Sequence, residues 1–318
     1  MSKIKNFRKL AKTDLRKKAL EIAEAGLQAI DTQKIIREAV VLTEEKLVVK
    51  NKEFILARVR RIFVVGIGKC SLEAAMALEK ILGDKIQGGI VADIREGKLS
   101  RIKYYQATHP FPSEANVKIT SEIIKLLSGL KEEDLVIFIV SGGGSTILCQ
   151  PPSMEYQDEA AVLDRLIRSG ADIQEINTLR KHLSLARGGY LAKHAYPARA
   201  VSLVFSDVVG NRLEFIASGP TVKDTTTYVD AQKILEKHNS QGRFDFFMDK
   251  IIETPKEEKY FKNVDNILLV SNKIALAAMA AKALEQGLTP KIVTDRMSGE
   301  AKDVGLEIVQ DLTKAGSG

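Results

Sequence analysis

The fold class of this chain is decided by the stretch DLVIFIVSGGGST, which runs from Asp134 to Thr146. Its first part is an unbroken apolar run rich in β-branched residues, which is typical of a strand covered on both faces. The run ends in three consecutive glycines between two serines: Ser141, Gly142, Gly143, Gly144 and Ser145. Glycines at a strand-to-helix turn let backbone N–H groups converge on an anion. We therefore favour a phosphate-binding loop over a flexible turn.

Composition places the chain among ordinary globular proteins, because 45% of its residues are hydrophobic and 28% are charged. We find no apolar run that approaches a membrane span and no hydrophobic signal segment behind the basic N-terminus. Two cysteines, Cys70 and Cys149, cannot form a disulfide framework. These observations predict a cytoplasmic protein that does not contact a membrane.

The formal net charge of +7 is located almost entirely near the N-terminus. Eight basic residues lie between Lys3 and Lys18, with Asp14 as the single acidic residue among them. We interpret this segment as a solvated helix face. Because no basic stripe or aromatic interleaving recurs downstream, we do not expect a nucleic-acid-binding protein.

Strands alternate with helices along most of the chain, which predicts an α/β fold. The expected architecture is a doubly wound, mostly parallel sheet with helices on both faces, similar to a Rossmann fold, followed by a truncated second domain. We predict a first α/β domain over residues 1–240, a linker over 241–264 and an incomplete second α/β segment over 265–318. That last segment is expected to contain strands at 266–270 and 291–294.

Ligands in such sheets gather at the carboxyl ends of the strands. Four candidate loops follow predicted strands: Gly66–Lys69, Ser141–Ser145, Ser206–Asp207 and Ser271–Asn272. Their shared position carries more weight than any one motif. We therefore expect a ligand site at this edge of the sheet.

The first of these loops begins the stretch GIGKCS, from Gly66 to Ser71. It is a partial dinucleotide fingerprint in which serine replaces the third glycine, and its spacing differs from a Walker A loop. What remains is Lys69 at a helix N-terminus behind Gly66 and Gly68, where an ammonium can meet a phosphate. A surface lysine after a tight turn explains this segment equally well.

Three polar residues share one predicted helix face, because Asn177, Arg180 and Lys181 stand at positions i, i+3 and i+4. Together they could clamp a carboxylate or phosphate, although a solvated charged face is the usual explanation of such a triplet. The adjacent His182 has no neighbouring metal-ligand spacing, which indicates a structural role.

Two further segments could contribute to a site. Asp207 at a strand end suits a Mg²⁺ contact or a base for a substrate hydroxyl, with turn capping as the alternative. A rigid hydroxyl-rich loop follows, with a carboxylate close behind it, and its candidate residues are Ser218, Gly219 and Thr221.

Taken together, these segments resemble the glycerate 2-kinase family of the MOFRL type. Each motif alone is unspecific, but the ordered set is specific, and it extends from about Leu15 to the C-terminal end. The matching segments are Val64–Lys69, Thr108–Pro112, Ser141–Ser145, Ile176–His182, Ser206–Gly210, Ile216–Thr221 and Asp224–Thr226.

The resemblance implies transfer of the γ-phosphoryl group of ATP to the 2-hydroxyl of D-glycerate, with Mg²⁺, to give 2-phosphoglycerate. It implies that Lys69 is catalytic and acts on the transferring phosphoryl group. Asp207 would act on the metal or the hydroxyl, and the triglycine loop would hold a phosphate or the glycerate carboxylate. The residues expected to line the cleft are Asn177, Arg180, Lys181, Ser218, Gly219 and Thr221. The expected partner is a small-molecule substrate, and a homodimer is compatible with this interpretation.

The chain also departs from the family pattern. Family members continue into a C-terminal domain with the segment GRGGRNQE, including an arginine thought to act on phosphate charge, and this sequence has no such segment. Asn211 and Arg212 stand where an acidic pair is usual. We expect either a fragment or a shortened relative that needs a partner chain, and we favour the fragment.

Two alternatives remain at this point. An NAD(P)-dependent hydroxypyruvate reductase is suggested by Gly66–Ser71, but the missing third glycine and the lack of a well-placed histidine base count against it. The other alternative is a non-catalytic fragment that binds phosphate or a sugar acid.

Overall fold

A computed structural model describes residues 2–239, 242, 244–297 and 299–315. The chain forms two compact units. The sheet unit comprises Asp31–Asp207 and Leu213–Ser271. The helical unit comprises the chain up to Ile30, Val208–Arg212 and the chain from Asn272 onward.

The elements alternate along the sheet unit as the sequence predicts. In chain order the strands are β1 (Val40–Leu42), β2 (Lys46–Val49), β3 (Lys52–Ile55), β4 (Arg61–Ile67), β5 (Ile86–Asp93), β6 (Lys103–Gln106), β7 (Asp134–Ser141), β8 (Arg199–Phe205) and β9 (Val264–Val270). The helices are α1 (Phe7–Leu10), α2 (Asp14–Ala29), α3 (Thr32–Ala39), α4 (Ser71–Leu82), α5 (Glu114–Ser128), α6 (Gly144–Ile147), α7 (Tyr156–Arg168), α8 (Ile173–His182), α9 (Tyr190–Ala195), α10 (Tyr228–His238), α11 (Asn272–Glu285) and α12 (Ala301–Ala315).

The main sheet has six parallel strands in the order β6-β5-β4-β7-β8-β9. This is the doubly wound order of Rossmann-type sheets, in which the connections reverse direction between two central strands. Here the reversal lies between β4 and β7, where Val65 pairs with Phe138. The predicted α/β class and parallel sheet are therefore confirmed, and the point at which sheets of this order commonly bind ligands lies between these two strands.

The sheet is covered on both faces. Every residue of β7 is buried. On one face Ile137 and Ile139 pack in a core with Ile36, Ala75 and Leu78 from α3 and α4. On the other face α5 contacts β5, α9 contacts β8, and the two helices contact each other. Burial on both sides explains why β7 lacks the alternation of a half-exposed strand.

A small antiparallel sheet formed by β1, β2 and β3 lies outside the elements that the sequence predicts. Its central hairpin pairs Val49 with Lys52 across a two-residue turn, in which Lys50 has a φ of +54°. Leu47 and Phe54 are fully buried and join the core beside α3. These strands are not evident from the sequence, because many lysines and glutamates surround their few apolar residues and no clear alternation of apolar and polar residues remains.

The domain boundaries differ from those expected. Residues 265–270, expected in a second segment, belong to β9, which pairs in parallel with β8 of the main sheet. The expected linker contributes Phe244, Phe247 and Ile251 to a buried cluster with α7, α8 and α10. The physical reason is that a few well-spaced apolar residues suffice to anchor an otherwise polar segment.

In the helical unit, α2 packs against α11. The two helices approach closely at Gly26, where a Cβ atom would lie 2.7 Å from Met279 Cγ. The strand predicted at 291–294 is not formed, and Ile292 and Val293 are exposed. The described part of this unit offers no strand with which it could pair. Among the described residues of the whole chain, none of the helices has the length and apolar character needed to cross a membrane.

Candidate active site

The loops that follow β4 and β7 are joined by direct hydrogen bonds at the reversal point of the sheet. Lys69 N–H donates to the Gly142 carbonyl at 3.0 Å, and Ser141 Oγ donates to the Ile67 carbonyl at 3.3 Å. A side chain at Gly68 would meet Ser141 Oγ at 2.2 Å, so glycine is required there. The two loops therefore form one continuous floor.

The first loop is less open to a ligand than its sequence suggests. Its N–H groups at Gly68 and Lys69 donate to Ala92 and Gly142, and Cys70 N–H donates to Ser141 Oγ at 3.4 Å. Gly66 is needed for packing, because its Cβ would lie 2.9 Å from Val91. Bonded in this way, the loop holds Lys69 in place and does not itself cradle a phosphate.

The triglycine loop brings charged side chains together above its Cα atoms. A Cβ at Gly142 would lie 1.9 Å from Asp207 Oδ2. A Cβ at Gly143, whose φ is +84°, would lie 3.0 Å from Lys69 Cε and 3.2 Å from His109 Cδ2. The glycines are therefore required by close side-chain approach, a reason that the sequence did not reveal. The N–H groups of Gly143 and Gly144 are not used by backbone carbonyls of the described residues.

The side chains of Lys69 and Asp207 are exposed. Among the described residues, neither the Lys69 ammonium nor the Asp207 carboxylate has a hydrogen-bond or ion-pair partner. The turn that carries Lys69 is held by Arg95, which donates to the Lys69 carbonyl at 2.9 Å and is fixed by Asp93 at 2.9 Å. The backbone that carries Lys69 is thus fixed, while both charged groups are free to contact a ligand.

His109 belongs to the matching segment Thr108–Pro112 and was not among the predicted site residues, yet it lies within electrostatic reach of the same charges. Burial lowers its pKa, and the positive charges of Lys69 and Arg180 lower it further, against the opposite effect of Asp207. The imidazole is therefore neutral at pH 7. The prolines that follow it, Pro110 and Pro112, indicate a turn and did not reveal that the imidazole lies beside these charges.

Arg187 is a second residue that sequence reasoning missed. It is buried, forms an ion pair with Glu159 at 2.5 Å, and donates from Nε to the Ser145 carbonyl at 2.8 Å. It also donates to the carbonyl of Arg180 at 3.2 Å. It thus supports the triglycine loop and the helix α8 together. The sequence signal that could have pointed to Arg187 is its place directly before the pair Gly188 and Gly189.

The predicted triplet of α8 is divided by the structure. Arg180 is half-buried beside Arg187, whereas Lys181 is 1% exposed and bound to Asp224 at 2.5 Å. The expectation that Lys181 lines the cleft is therefore revised, because its ammonium is already paired inside the protein. Asn177 is buried as well, and its Nδ2 donates to the Ile173 carbonyl.

The hydroxyl-rich loop contacts the triglycine loop from the other side. Ser218 Oγ donates to Ser145 Oγ at 3.1 Å, and a Cβ at Gly144 would lie 2.6 Å from Ala217 Cβ. Ala217, Ser218 and Gly219 all have positive φ angles, between 51° and 57°. Strained backbone of this kind persists only where surrounding structure enforces it. The expectation that Thr221 lines the cleft is revised, because its hydroxyl is buried and donates to Asn266 Oδ1 at 2.7 Å.

The described residues contain no group of three or more histidine, cysteine or acidic side chains that could hold a metal. Asp207 is an exposed carboxylate at this edge, whereas Asp93 at the end of β5 is already paired with Arg95. Mg²⁺ in phosphoryl-transfer sites is commonly held by one or two carboxylates together with substrate phosphates and water. The donor set therefore fits a metal that arrives with a nucleotide and not an all-protein metal cage.

Comparison with known proteins supports the resemblance. Residues 18–253 match the family described as "Domain of unknown function (DUF4147)". A glycerate 2-kinase of Pyrococcus horikoshii is 37% identical over 317 residues, which cover 95% of this chain and 71% of that protein. A protein of Agrobacterium vitis with the provisional name of a hydroxypyruvate reductase is 40% identical over 253 residues, covering 77% of this chain and 57% of that protein.

The fold agrees as well. A crystal structure of glycerate kinase from Thermotoga maritima matches with a TM-score of 0.74 and 33% sequence identity, over 88% of this chain and 64% of that chain. The chain thus spans between about half and three quarters of the length of these relatives. Ordered motifs, sheet order and similarity over nearly the whole sequence agree, and the chain belongs to the glycerate 2-kinase family.

Proposed function

We propose that the protein transfers the γ-phosphoryl group of ATP to the 2-hydroxyl of D-glycerate, which yields 2-phosphoglycerate and ADP. The observation that carries the proposal is the pair of free opposite charges, Lys69 and Asp207, held over Gly143 and Gly142 at the reversal point of the sheet. Phosphoryl transfer needs positioning and neutralisation of charge more than covalent chemistry. A free ammonium, free backbone donors and a free carboxylate are the groups that this reaction uses.

In this mechanism the acceptor oxygen attacks the γ-phosphorus while the bond to the leaving ADP oxygen breaks. Lys69 neutralises charge on the transferring group, and the N–H groups of Gly143 and Gly144 donate to its oxygens. Asp207 fits two roles, acceptance of the hydroxyl proton or a contact to Mg²⁺. When bound, Mg²⁺ would neutralise charge on the nucleotide phosphates.

A hydroxypyruvate reductase is less well supported. A dinucleotide pyrophosphate is normally bound by free N–H groups at the first strand-to-helix turn. Here the N–H groups of Gly68, Lys69 and Cys70 are already bonded to the protein. A cytoplasmic location and a homodimer remain predictions from the sequence.

The test is an ADP-release assay on the full chain with ATP, Mg²⁺ and D-glycerate, with phosphorus NMR to identify the product. We expect ADP formation that depends on glycerate and a phosphate ester at C2. Oxidation of NADH by hydroxypyruvate without ADP release would favour the reductase. Stabilisation against unfolding by ATP or glycerate, again without ADP, would favour the non-catalytic binding fragment.

A further inference from the structure

A cavity of about 290 Å³ lies beside the triglycine loop in the sheet unit. Its polar wall contains Ser145, Arg180 and Arg187, and its apolar wall contains Phe111, Leu163 and Ile167. The segment Pro110–Pro112 borders the cavity, while the adjacent His109 lies against Gly143 next to Lys69. A ligand in the cavity is therefore next to the proposed phosphoryl site.

The charges around the cavity leave one cation without a counter-charge. Glu159 is bound to Arg187 at 2.5 Å, and Asp164 is bound to Arg168 at 2.7 Å. Among the residues that the structure describes, the Arg180 guanidinium has no hydrogen-bond or ion-pair partner. The cavity thus presents one uncompensated positive charge.

The surroundings make that charge unfavourable without a ligand. Burial lowers the pKa of Arg180 to about 10, with a further contribution from the charge of Arg187, while Glu159 acts in the opposite direction. A pKa of about 10 still leaves the guanidinium charged at pH 7. A charge that is partly removed from water is destabilising until an anion pairs with it. Apolar walls lower the local dielectric constant and strengthen such a pair.

We propose that Arg180 binds the carboxylate of the acceptor acid in this cavity, which leaves Lys69 and the triglycine loop for the phosphoryl group. The guanidinium fork matches a carboxylate in a two-bond arrangement. One uncompensated positive charge balances a carboxylate, whereas a phosphate would bring close to two negative charges. The inference rests on the proposed function, and it assigns Arg180 the selection of hydroxy acids over uncharged alcohols.

The first experiment measures binding without ATP. Calorimetry compares D-glycerate with its uncharged amide on the wild-type protein and on Arg180→Gln. We expect the wild-type protein to bind glycerate about tenfold to a hundredfold more tightly than the amide, since a hydrogen-bonded charge pair is replaced by neutral contacts. Arg180→Gln should lose this preference, whereas Arg37→Gln, on the exposed surface of α3, should keep it. Arg180→Lys retains the positive charge. Its melting temperature and that of Arg180→Gln show whether each variant folds.

Equal affinity of the wild-type protein for acid and amide, no binding of either, or an unchanged preference in Arg180→Gln would each overturn the inference. A second readout separates it from the proposed function. In the ADP-release assay, Arg180→Gln should raise KM for glycerate by about tenfold or more and leave KM for ATP nearly unchanged. If the wild-type protein releases no ADP but shows the Arg180-dependent preference for the acid, the kinase proposal fails and the carboxylate site stands.

Discussion

Arg180 and Lys181 are neighbours in the chain, yet they belong to two regions with opposite organisation. Lys181 lies in an interior network, where Asp224 accepts from its ammonium at 2.5 Å and from Thr254 Oγ1 at 3.1 Å. Arg180 faces a cavity and has no partner among the described residues. The interior network pairs its charges within the protein, whereas the cavity leaves the Arg180 charge unpaired among the described residues. The two regions thus differ in whether a cationic side chain has a partner, although both residues are basic.

The interior network also has a consistent electrostatic pattern. Burial raises the pKa of Asp224, but the charge and hydrogen bond of Lys181 and the hydrogen bonds from Thr226 outweigh it, so the pKa lies below its usual range. His182 Nε2 lies 3.5 Å from the same carboxylate, and burial lowers the pKa of this imidazole. The ion pair between Lys181 and Asp224 therefore dominates the network.

The largest effect is expected from removing the charge of Asp224. The substitution Asp224→Asn leaves the Lys181 ammonium buried without its counter-charge, which should destabilise the protein by about 3–5 kcal/mol. Urea unfolding at pH 7 measures this change. The matched variant Asp249→Asn breaks an exposed ion pair with Lys250 and should change stability by less than about 1 kcal/mol. Similar losses in both variants would contradict a special role for the interior pair.

The same variant has a pH signature. Because the folded-state pKa of Asp224 lies below its unfolded value of about 3.9, the stabilisation is present above that pH and is lost as the pH falls through the folded pKa. Asp224→Asn should therefore lose less stability than the wild-type protein between pH 5 and acid conditions, by the same measurement.

A substitution in the other region should affect turnover and not stability. Lys69→Ala removes the free ammonium above Gly143 and should lower turnover by about 100- to 1,000-fold, as loss of a charge-stabilising donor commonly does. Its unfolding midpoint should not change, because the side chain is exposed and unpaired within the described residues. Lys118→Ala, at an exposed position of α5, is the control. Turnover at the wild-type rate would remove Lys69 from the mechanism.

A smaller effect is expected from displacing a charge without removing it. In Gly142→Ala the new Cβ would meet Asp207 Oδ2 at 1.9 Å, so the carboxylate must move. Displacement of a reacting group by about 1 Å can lower turnover by up to about 100-fold. Gly129→Ala is the matched variant, because its nearest atom would be at 3.5 Å. Equal turnover in both variants would show that the position of Asp207 does not matter.

The sequence predicted the parallel sheet well, for a physical reason. The run Asp134–Ser141 is apolar on both faces, and such a run has few alternatives to a central strand. The loops after β4 and β7 followed directly, since both end at the same edge. The position of the reversal was not predictable, because it depends on which strands pair and not on the order in which they occur.

The roles of individual polar residues were harder to predict. Helical spacing placed Asn177, Arg180 and Lys181 on one face, but it could not show that the counter-charge of Lys181 lies at Asp224, beyond the end of the helix. Arg187 was overlooked for the same reason, since its partner Glu159 lies far away in the sequence. The prediction of a strand at 291–294 was wrong. A strand needs a neighbouring strand with which to form hydrogen bonds, and the local sequence does not show whether one is present.

The hydrogen bond from Lys69 N–H to the Gly142 carbonyl has a consequence for how the protein folds. It joins residues that are far apart in the chain, at the ends of two strands that pair directly. Closing the intervening chain costs entropy before a contact of this kind is rewarded, and this slows folding. The surface formed by the loops after β4 and β7 therefore assembles only together with the central sheet. A ligand that binds there can be used as a reporter of completed folding.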